Sequence, residues 1–476
     1  MCASRLLHLR LAQWLCISCL LIVQDAHSFS PSHVPLWWLK QRLPHLSVRS
    51  TSEYMDVLRP NSASRLPDQA PTPPPIKVPG PLTKEASEHW LASRGEGDAP
   101  ESRIPPSWLL SRSEWHLLFN KYHNSMRAEG WGFEHLTARE RSLLPDNLQR
   151  ERSDKAAEAS AVNVDFFTQL IEHIPTEDQL YSNLNRRKED EAEPWSAAAY
   201  SPPAPVVDIF HPPGIKLDKQ HYATFGSICL HLFRDWSEEA ADVRNEVYGP
   251  IVEQVKRRFP ITGNGPPPRV LVPGAALSRL AFELMMAGYD VECNEYSALF
   301  VNVVDFLFNV CTEPMSIFPL AHLFADNRHL ATQYTKLQVP ARMPLAEARA
   351  AGRRMRLSAG DFVELYKSSG PAHRKFDCVV TCFFIDTGDH VLDYVETIDD
   401  VLEEGGEWIN LGPLAYDGSV RLKLSWEELQ AVWEGLGYRF DSVTQMYSAY
   451  YLQPGVKLST EQFDSVFSTA VKPRSH

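Results

Sequence analysis

Residues 269–297 read RVLVPGAALSRLAFELMMAGYDVECNEYS. The run 269–273, RVLVP, is short, apolar and rich in β-branched residues, which predicts a buried strand. Leu277, Leu280, Ala281 and Leu284 then recur at helical spacing, and Gly288 supplies a stop. DVECNEY, residues 290–296, reads as the next strand. A strand, a glycine-bearing turn, a helix and another strand make the unit from which parallel sheets are assembled.

The alternation continues downstream. A helix through Asn309 follows the second strand, and FDCVVTCFF, residues 376–384, carries an apolar run long enough for a central strand. Val391, Tyr394, Val395, Ile398 and Leu402 line the next helix, which Gly405-Gly406 is expected to end, and EWINLGP, residues 407–413, is a fourth strand. This predicts an α/β fold with a mostly parallel sheet covered by helices on both faces. YRFDSVTQMYSAYYL (438–452) and FDSVFSTAV (463–471) have no helix between them and predict an antiparallel edge hairpin.

Upstream, the character differs. Arg5, His8 and Arg10 precede an apolar run, Leu11–Val23, and Ala26-His27-Ser28 offers small residues where a signal peptidase cuts, so residues 1–28 read as a signal peptide or targeting segment. Residues 29–106 are rich in Ser, Arg and Pro, including PTPPP at 71–75, and predict disorder. SEWHLLFNKYHNSMRAEGWGF (113–133) and VNVDFFTQLIEHI (162–174) carry helical periodicity. They predict a helical lobe that, with a charged linker marked by Pro202-Pro203 and Pro212-Pro213, occupies about 107–210. The N-terminal segment points to the secretory pathway or, because a Phe and a Ser/Arg-bearing stretch follow it, to a plastid; a chain started further downstream would stay in the cytoplasm. Once the presequence is removed, no stable membrane span is expected.

Eight cysteines are present, and the five outside the first 28 residues (Cys229, Cys293, Cys311, Cys378 and Cys382) form an odd set without a C-x-x-C pair. They read as reduced thiols in an interior. A formal charge of −13 and a pI near 5.7 argue against a surface that works by neutralising phosphates. Nucleic acid is therefore not an expected partner, a small molecule is, and a homodimer is compatible with the sequence.

In an open parallel sheet, ligands bind beyond the carboxyl ends of the strands, where strand order reverses. Glu295 stands about 20 residues past Gly274, the spacing at which an acid accepts the hydroxyls of a ribose. A dinucleotide loop needs glycine at further points so that its backbone can approach a pyrophosphate, and here Ala276 and Ser278 follow instead. The loop suits a nucleoside without a pyrophosphate, of which S-adenosylmethionine is the common one. The plain alternative is that Gly274 only turns the chain and Glu295 is a solvated charge.

FRDWSEEA (233–240), LVPGAALSRLAFE (271–283), CNEYS (293–297), GDFVELY (360–366), VVTCFFIDTGDHVLDYVETI (379–398) and LEEGGEWINLGPL (402–414) occur in that order. Together they closely resemble the carnosine N-methyltransferase family, which methylates the imidazole of a histidine-containing dipeptide from S-adenosylmethionine. The resemblance implies a Rossmann-like class I methyltransferase domain over 211–476. It also implies that Arg234 meets the cofactor's carboxylate, Gly274 lets the cofactor lie close, Glu295 holds the ribose, Asp361 and Phe362 bracket the adenine, and Cys382 lines the pocket. Asp386 would bind the substrate and, as a carboxylate facing the imidazole, fix its tautomer and stabilise the cation that forms. Arg234 on a solvated helix face, Phe362 and Cys382 in the core, and Asp386 or the better-placed Asp389 as a helix cap are the structural alternatives.

Three positions depart from the family. Its cofactor-binding Gln is His231, which can still hydrogen-bond through a ring nitrogen. Its substrate-site His falls on Asp417, and its late substrate-contacting tyrosines align with Glu461 and Phe463. The cofactor half is largely kept and the substrate half altered. A methyltransferase-fold binding protein and a diverged methyltransferase on another small amine therefore stand beside the family activity, and a nicotinamide-dependent oxidoreductase is disfavoured by the missing glycines.

Overall fold

The computed structural model describes residues 110–130, 136–145, 147–174, 205–210, 225–263, 265–417, 420–449, 457–459 and 461–474. The expected targeting segment, the Pro/Ser-rich region and most of the linker lie outside the described residues. In chain order the main elements are α1 (Arg112–Gly130), α2 (Leu148–His173), β1 (Val207–Phe210), α3 (Phe225–Trp236), α4 (Ala241–Arg258), β2 (Arg269–Val272), α5 (Arg279–Ala287) and β3 (Asp290–Glu295). There follow α6 (Ala298–Asp305), running into one π-helical turn (Phe306–Val310), and then β4 (Met315–Ile317), β5 (Leu337–Val339) and β6 (Met355–Ala359). The chain continues through β7 (Phe376–Cys382), α7 (Val391–Val401), β8 (Leu402–Gly412), α8 (Trp426–Gly435), β9 (Arg439–Ala449) and β10 (Gln462–Val471).

Eight strands form one sheet in the order β1-β6-β3-β2-β7-β8-β10-β9, while β4 and β5 pair separately. All pairs from β1 to β8 are parallel, and β10 joins β8 and β9 antiparallel. The expected α/β architecture and edge hairpin are both present. Successive strands leave β2 toward β3 and β6 on one side, and β7 and β8 extend on the other. The switch point lies between β2 and β7, so their carboxyl ends frame the place where a ligand belongs.

Side-chain alternation explains the double cover. In β2, Val270 and Val272 belong to the core shared with α1 to α6, whereas Leu271 faces the core shared with α7 and α8. The N-terminal helices are part of the first core. Trp115 of α1 and Phe167 of α2 meet the Phe225 ring of α3 edge-on, at 5.4 and 4.8 Å between centroids. This aromatic layer clamps α3 against the sheet, which fixes the helix that carries His231 and Arg234.

Two details differ from the sequence expectations. Gly405-Gly406 does not end α7: the helix stops at Val401, β8 starts at Leu402, and both glycines lie inside the strand. Gly405 adopts φ +78°, and the β7–β8 register shifts between Phe376 and Cys378, so the glycines mark an irregular strand start. In addition, β1 forms within the stretch read as linker, adding an edge strand beyond β6. Among the described residues no helix is long and apolar enough to cross a membrane.

Candidate functional site

The turn after β2 is wound more tightly than its composition suggests. Gly274, Ala276 and Ser278 all have positive φ (63°, 47° and 58°). Two of these are not glycines, and left-handed backbone costs an L-residue roughly 1–2 kcal/mol. Compensation comes from the Glu295 carboxylate, which accepts the Ala276 N–H at 2.7 Å and, through its other oxygen, the Ser297 N–H at 2.7 Å. Ser278 N–H closes the turn on Ala275 O at 2.7 Å. Gly274 is required for a reason the sequence does not show: a Cβ there would come within 2.4 Å of the Phe384 ring.

Opposite this turn, α3 presents a buried charge cluster. Arg234 Nε and Nη2 donate to the two Asp235 oxygens at 2.8 and 3.1 Å, and Nη2 also reaches His231 Nδ1 at 2.8 Å. A guanidinium can only donate, so Nδ1 is the acceptor and the ring proton sits on Nε2. The nearest Asp235 oxygen is 3.6 Å from Nδ1, too far to compete. Burial, followed by the Arg234 charge, pushes the His231 pKa down to about 4, so the ring is neutral at ordinary pH. Burial alone would raise the Asp235 carboxyl, but Arg234 and the hydrogen bonds around it outweigh that and hold it well below the usual range. Tyr248 of α4 donates to Asp235 Oδ1 at 2.8 Å. The end of α3 is capped by two buried arginines: Arg244 donates to Arg234 O and Ser237 O, and Arg279 to Asp235 O.

His231, Arg234, Tyr248, Gly274, Ala276, Cys382 and Phe383 line one cleft, with a cavity volume of about 60 Å³. Four residues singled out from the sequence (His231, Arg234, Gly274 and Cys382) thus meet there, and Glu295 joins them through its bond to Ala276. Burial pushes the Cys382 thiol up to about 12, so it is a neutral wall. A shallower hollow lined by Val252, Lys256, Pro260, Met286 and Tyr289 opens at the amino ends of the strands, away from the switch point.

Asp361 and Phe362 follow β6. Gly360 N–H bonds Glu295 O at 3.0 Å, which places the two strand ends side by side. Asp361 caps the one-turn helix Phe362–Tyr366 by accepting Glu364 N–H at 2.9 Å, leaving its second oxygen for other contacts. Phe362 is a core residue, edge-on to Phe384 and Tyr394 at 5.4 and 5.5 Å. Its side chain fixes the helix start and packs beneath the ring that covers Gly274.

The last group lies beyond β7, β8 and β10. Asp386 is nearly buried, and its Oδ2 accepts Ala415 N–H at 2.6 Å. It does not cap α7, whose N-cap is His390, and Asp389 does not either. Burial pushes the Asp386 carboxyl above its ordinary range, opposed by the Ala415 bond. Asp417, two residues past Ala415, is exposed. Phe463 meets Phe383 edge-on, with 5.6 Å between centroids. Sequence reasoning missed Asp235, Tyr248 and Phe383. Only Phe383 carried a signal, since it stands directly after a central strand.

Among the described residues no cluster of His, Cys, Asp and Glu is arranged for a metal. The donor set suits an organic cofactor that carries a carboxylate and a ribose: a guanidinium for the first, a carboxylate at the end of β3 for the second, and a tight turn between them.

The profile of the family described as "Carnosine N-methyltransferase" matches residues 215–474. The carnosine N-methyltransferase of Mus musculus is 33% identical over 249 residues, covering 51% of this chain and 61% of the mouse protein. That of Schizosaccharomyces pombe is 36% identical over 193 residues, covering 40% and 51%. The chain thus spans about six tenths of the length of the mouse relative and about half of the yeast one. Solved structures that align include TehB from Haemophilus influenzae (11% identity, 51% and 67% covered, TM-score 0.33). Another is a magnesium protoporphyrin IX methyltransferase from Synechocystis with bound SAH (12%, 52% and 93%, TM-score 0.32).

Proposed function

The chain belongs to the carnosine N-methyltransferase family, and on that premise we propose that it methylates a ring nitrogen of an imidazole-bearing small molecule, carnosine or a relative, from S-adenosylmethionine. The observation that carries this reading is the convergence of Arg234 and the Gly274 turn on one cleft, with Glu295 bonded to the turn through Ala276 N–H. When bound, the cofactor supplies an electrophilic methyl on a positively charged sulfur. Arg234 is suited to its carboxylate as a charge-assisted donor, and Asp235 and His231 hold the guanidinium plane. Glu295 accepts two N–H groups, one per oxygen, and as a carboxylate at the end of β3 it is suited to accept from a ribose hydroxyl.

The acceptor must present a neutral imidazole nitrogen. Its lone pair would accept the methyl supplied by the bound cofactor, whose sulfur would keep the bonding pair. The positive charge passes to the ring, and the proton on the second nitrogen goes to Asp386 and then to solvent. Asp386 is suited to this role because one oxygen is anchored by Ala415 N–H while the carboxyl sits in a poorly solvated pocket. Holding the ring in the reacting tautomer and aligning nitrogen, methyl and sulfur supplies much of the rate gain in such a displacement.

The test is methyl transfer from radiolabelled S-adenosylmethionine to a panel of imidazoles, with S-adenosylhomocysteine binding measured alongside. Label on an imidazole nitrogen supports the reading. Tight binding with no transfer to any acceptor would make the chain a cofactor-binding protein instead.

A further inference from the structure

We propose that Tyr248 holds the ammonium group of the cofactor's amino-acid end. This inference rests on the methyltransferase reading and adds a contact to the same site. The amino-acid end of S-adenosylmethionine carries two charges, and Arg234 answers only the carboxylate. An ammonium has three donors and no acceptor, so it needs acceptors in the cleft wall. Among the described residues that line the cleft, few side chains can supply one. Arg234 only donates, the Nδ1 acceptor of His231 is taken by Arg234, and the neutral Cys382 thiol is a weak acceptor. The other lining side chains are apolar except that of Tyr248.

Helix α4 delivers the phenol to this place. Arg244, Val247, Tyr248 and Ile251 are spaced three and four residues apart and share one helix face. Ile251 is buried in the first core. Arg244 is buried where it donates to Arg234 O at 2.7 Å and to Ser237 O at 2.6 Å, which ties this face to the end of α3. Tyr248 stands one turn beyond Arg244, and its hydroxyl meets Asp235 Oδ1 at 2.8 Å.

The direction of that bond decides what the hydroxyl can offer. Against burial, Arg234 and the surrounding hydrogen bonds keep Asp235 ionised, so its oxygens only accept and the Tyr248 proton points to Oδ1. Burial, opposed by Arg234 and reinforced by Asp235, holds the phenol well above its ordinary pKa, so this proton is retained. What remains on the Tyr248 oxygen is lone pairs, and donation to an anion polarises the group into a better acceptor. Asp235 itself is buried and does not line the cleft, so its charge reaches a ligand there through a neutral hydroxyl. Arg234 Nε and the Tyr248 hydroxyl are both fixed on Asp235 Oδ1, each at 2.8 Å. One buried oxygen thus sets two complementary contacts for a zwitterion, a donor for its carboxylate and an acceptor for its ammonium.

The experiment uses the full chain and calorimetric binding of S-adenosylhomocysteine, of its deaminated analogue, which keeps the carboxylate, and of 5′-methylthioadenosine, which lacks the whole amino-acid end. The unsubstituted chain should bind S-adenosylhomocysteine roughly tenfold or more tightly than the deaminated analogue, as expected for a hydrogen bond to a charged group. In Tyr248→Phe that preference should shrink toward one because S-adenosylhomocysteine weakens, while the deaminated analogue and 5′-methylthioadenosine keep their affinities. Equal binding of S-adenosylhomocysteine and the deaminated analogue by the unsubstituted chain would overturn the inference. So would an equal loss of both in Tyr248→Phe, which would make Tyr248 a prop for Arg234 alone. Either result leaves the methyltransferase reading standing, whereas no binding of S-adenosylhomocysteine by the unsubstituted chain would remove both.

Discussion

Arg234 and Asp417 live in contrasting surroundings. The Arg234 side chain is 9% exposed and is answered by Asp235 and His231, with Tyr248 behind Asp235 and Arg244 and Arg279 capping the helix beneath. Asp417 is exposed, two residues past Ala415, whose N–H bonds Asp386. The cofactor side is a network in which each buried charge fixes the next, so a change there leaves a partner without its counter-charge. The acceptor side is a loop and a hairpin edge, where side chains change without disturbing a core. Substitution is therefore costlier around Arg234 than at Asp417.

The comparison breaks most readily at Asp386, the one nearly buried acid on the acceptor side. Asp386→Asn should lower kcat by roughly 10²–10⁴-fold, the range for removing a positioned acid-base group, while leaving S-adenosylhomocysteine affinity within about twofold by calorimetry. Because its carboxyl is raised and must be ionised to act, activity should fall as pH drops through a pKa above the ordinary carboxylate range of about 3.9. An acid limb at ordinary carboxylate pH in the pH–rate profile would contradict this. On the cofactor side, Arg234→Lys replaces a planar fork by one point charge and should raise KM for S-adenosylmethionine by roughly 10²-fold. Binding of 5′-methylthioadenosine, which lacks the amino-acid end, should change little.

Smaller effects sharpen the same contrast. Gly274→Ala forces a Cβ against Phe384 at a positive φ and should cost about 1–3 kcal/mol of stability, read by denaturant unfolding. His231 tests the network through pH. Its folded pKa of about 4 lies below the unfolded value near 6.5, so the unfolded chain binds the extra proton between these limits. Stability from this group is complete above pH 6.5 and is lost as pH falls toward 4, by an amount on the order of 3 kcal/mol. A His231→Gln variant should flatten that slope in thermal melts. His322, also lowered to about 4 by burial, keeps its own share. Last, Tyr366→Phe removes one of two hydroxyls that donate to the buried Glu292 and should cost about 1–2 kcal/mol.

The parallel sheet was legible because its central strands are short apolar runs separated by helical periodicity, and the glycine after β2 marked the ligand end. β6 was harder to read, since Arg356 and Ser358 interrupt its apolar pattern; Ser358 is buried because its hydroxyl donates to Glu292, a partner distant in sequence. Gly405-Gly406 looked like a helix stop because glycine serves that role as often as it marks an irregular strand. At the candidate site, Glu295 was singled out by its spacing from Gly274, and Arg234 and Asp386 by motif resemblance. Asp235 was not, because an acid beside an arginine on a helix reads as a solvated pair until burial is known. The packing of Gly274 against the Phe384 ring, a contact distant in sequence, was not legible.

The central claim is that this cleft positions an imidazole nitrogen for methylation. The most direct measurement is single-turnover transfer from methyl-labelled S-adenosylmethionine by the full chain and by Asp386→Asn, with the labelled atom of the product located by NMR. The account predicts label on an imidazole ring nitrogen with the full chain, and transfer slowed at least about 10²-fold in the variant at unchanged cofactor affinity. Label on another atom, or equal rates in the two proteins, would contradict it.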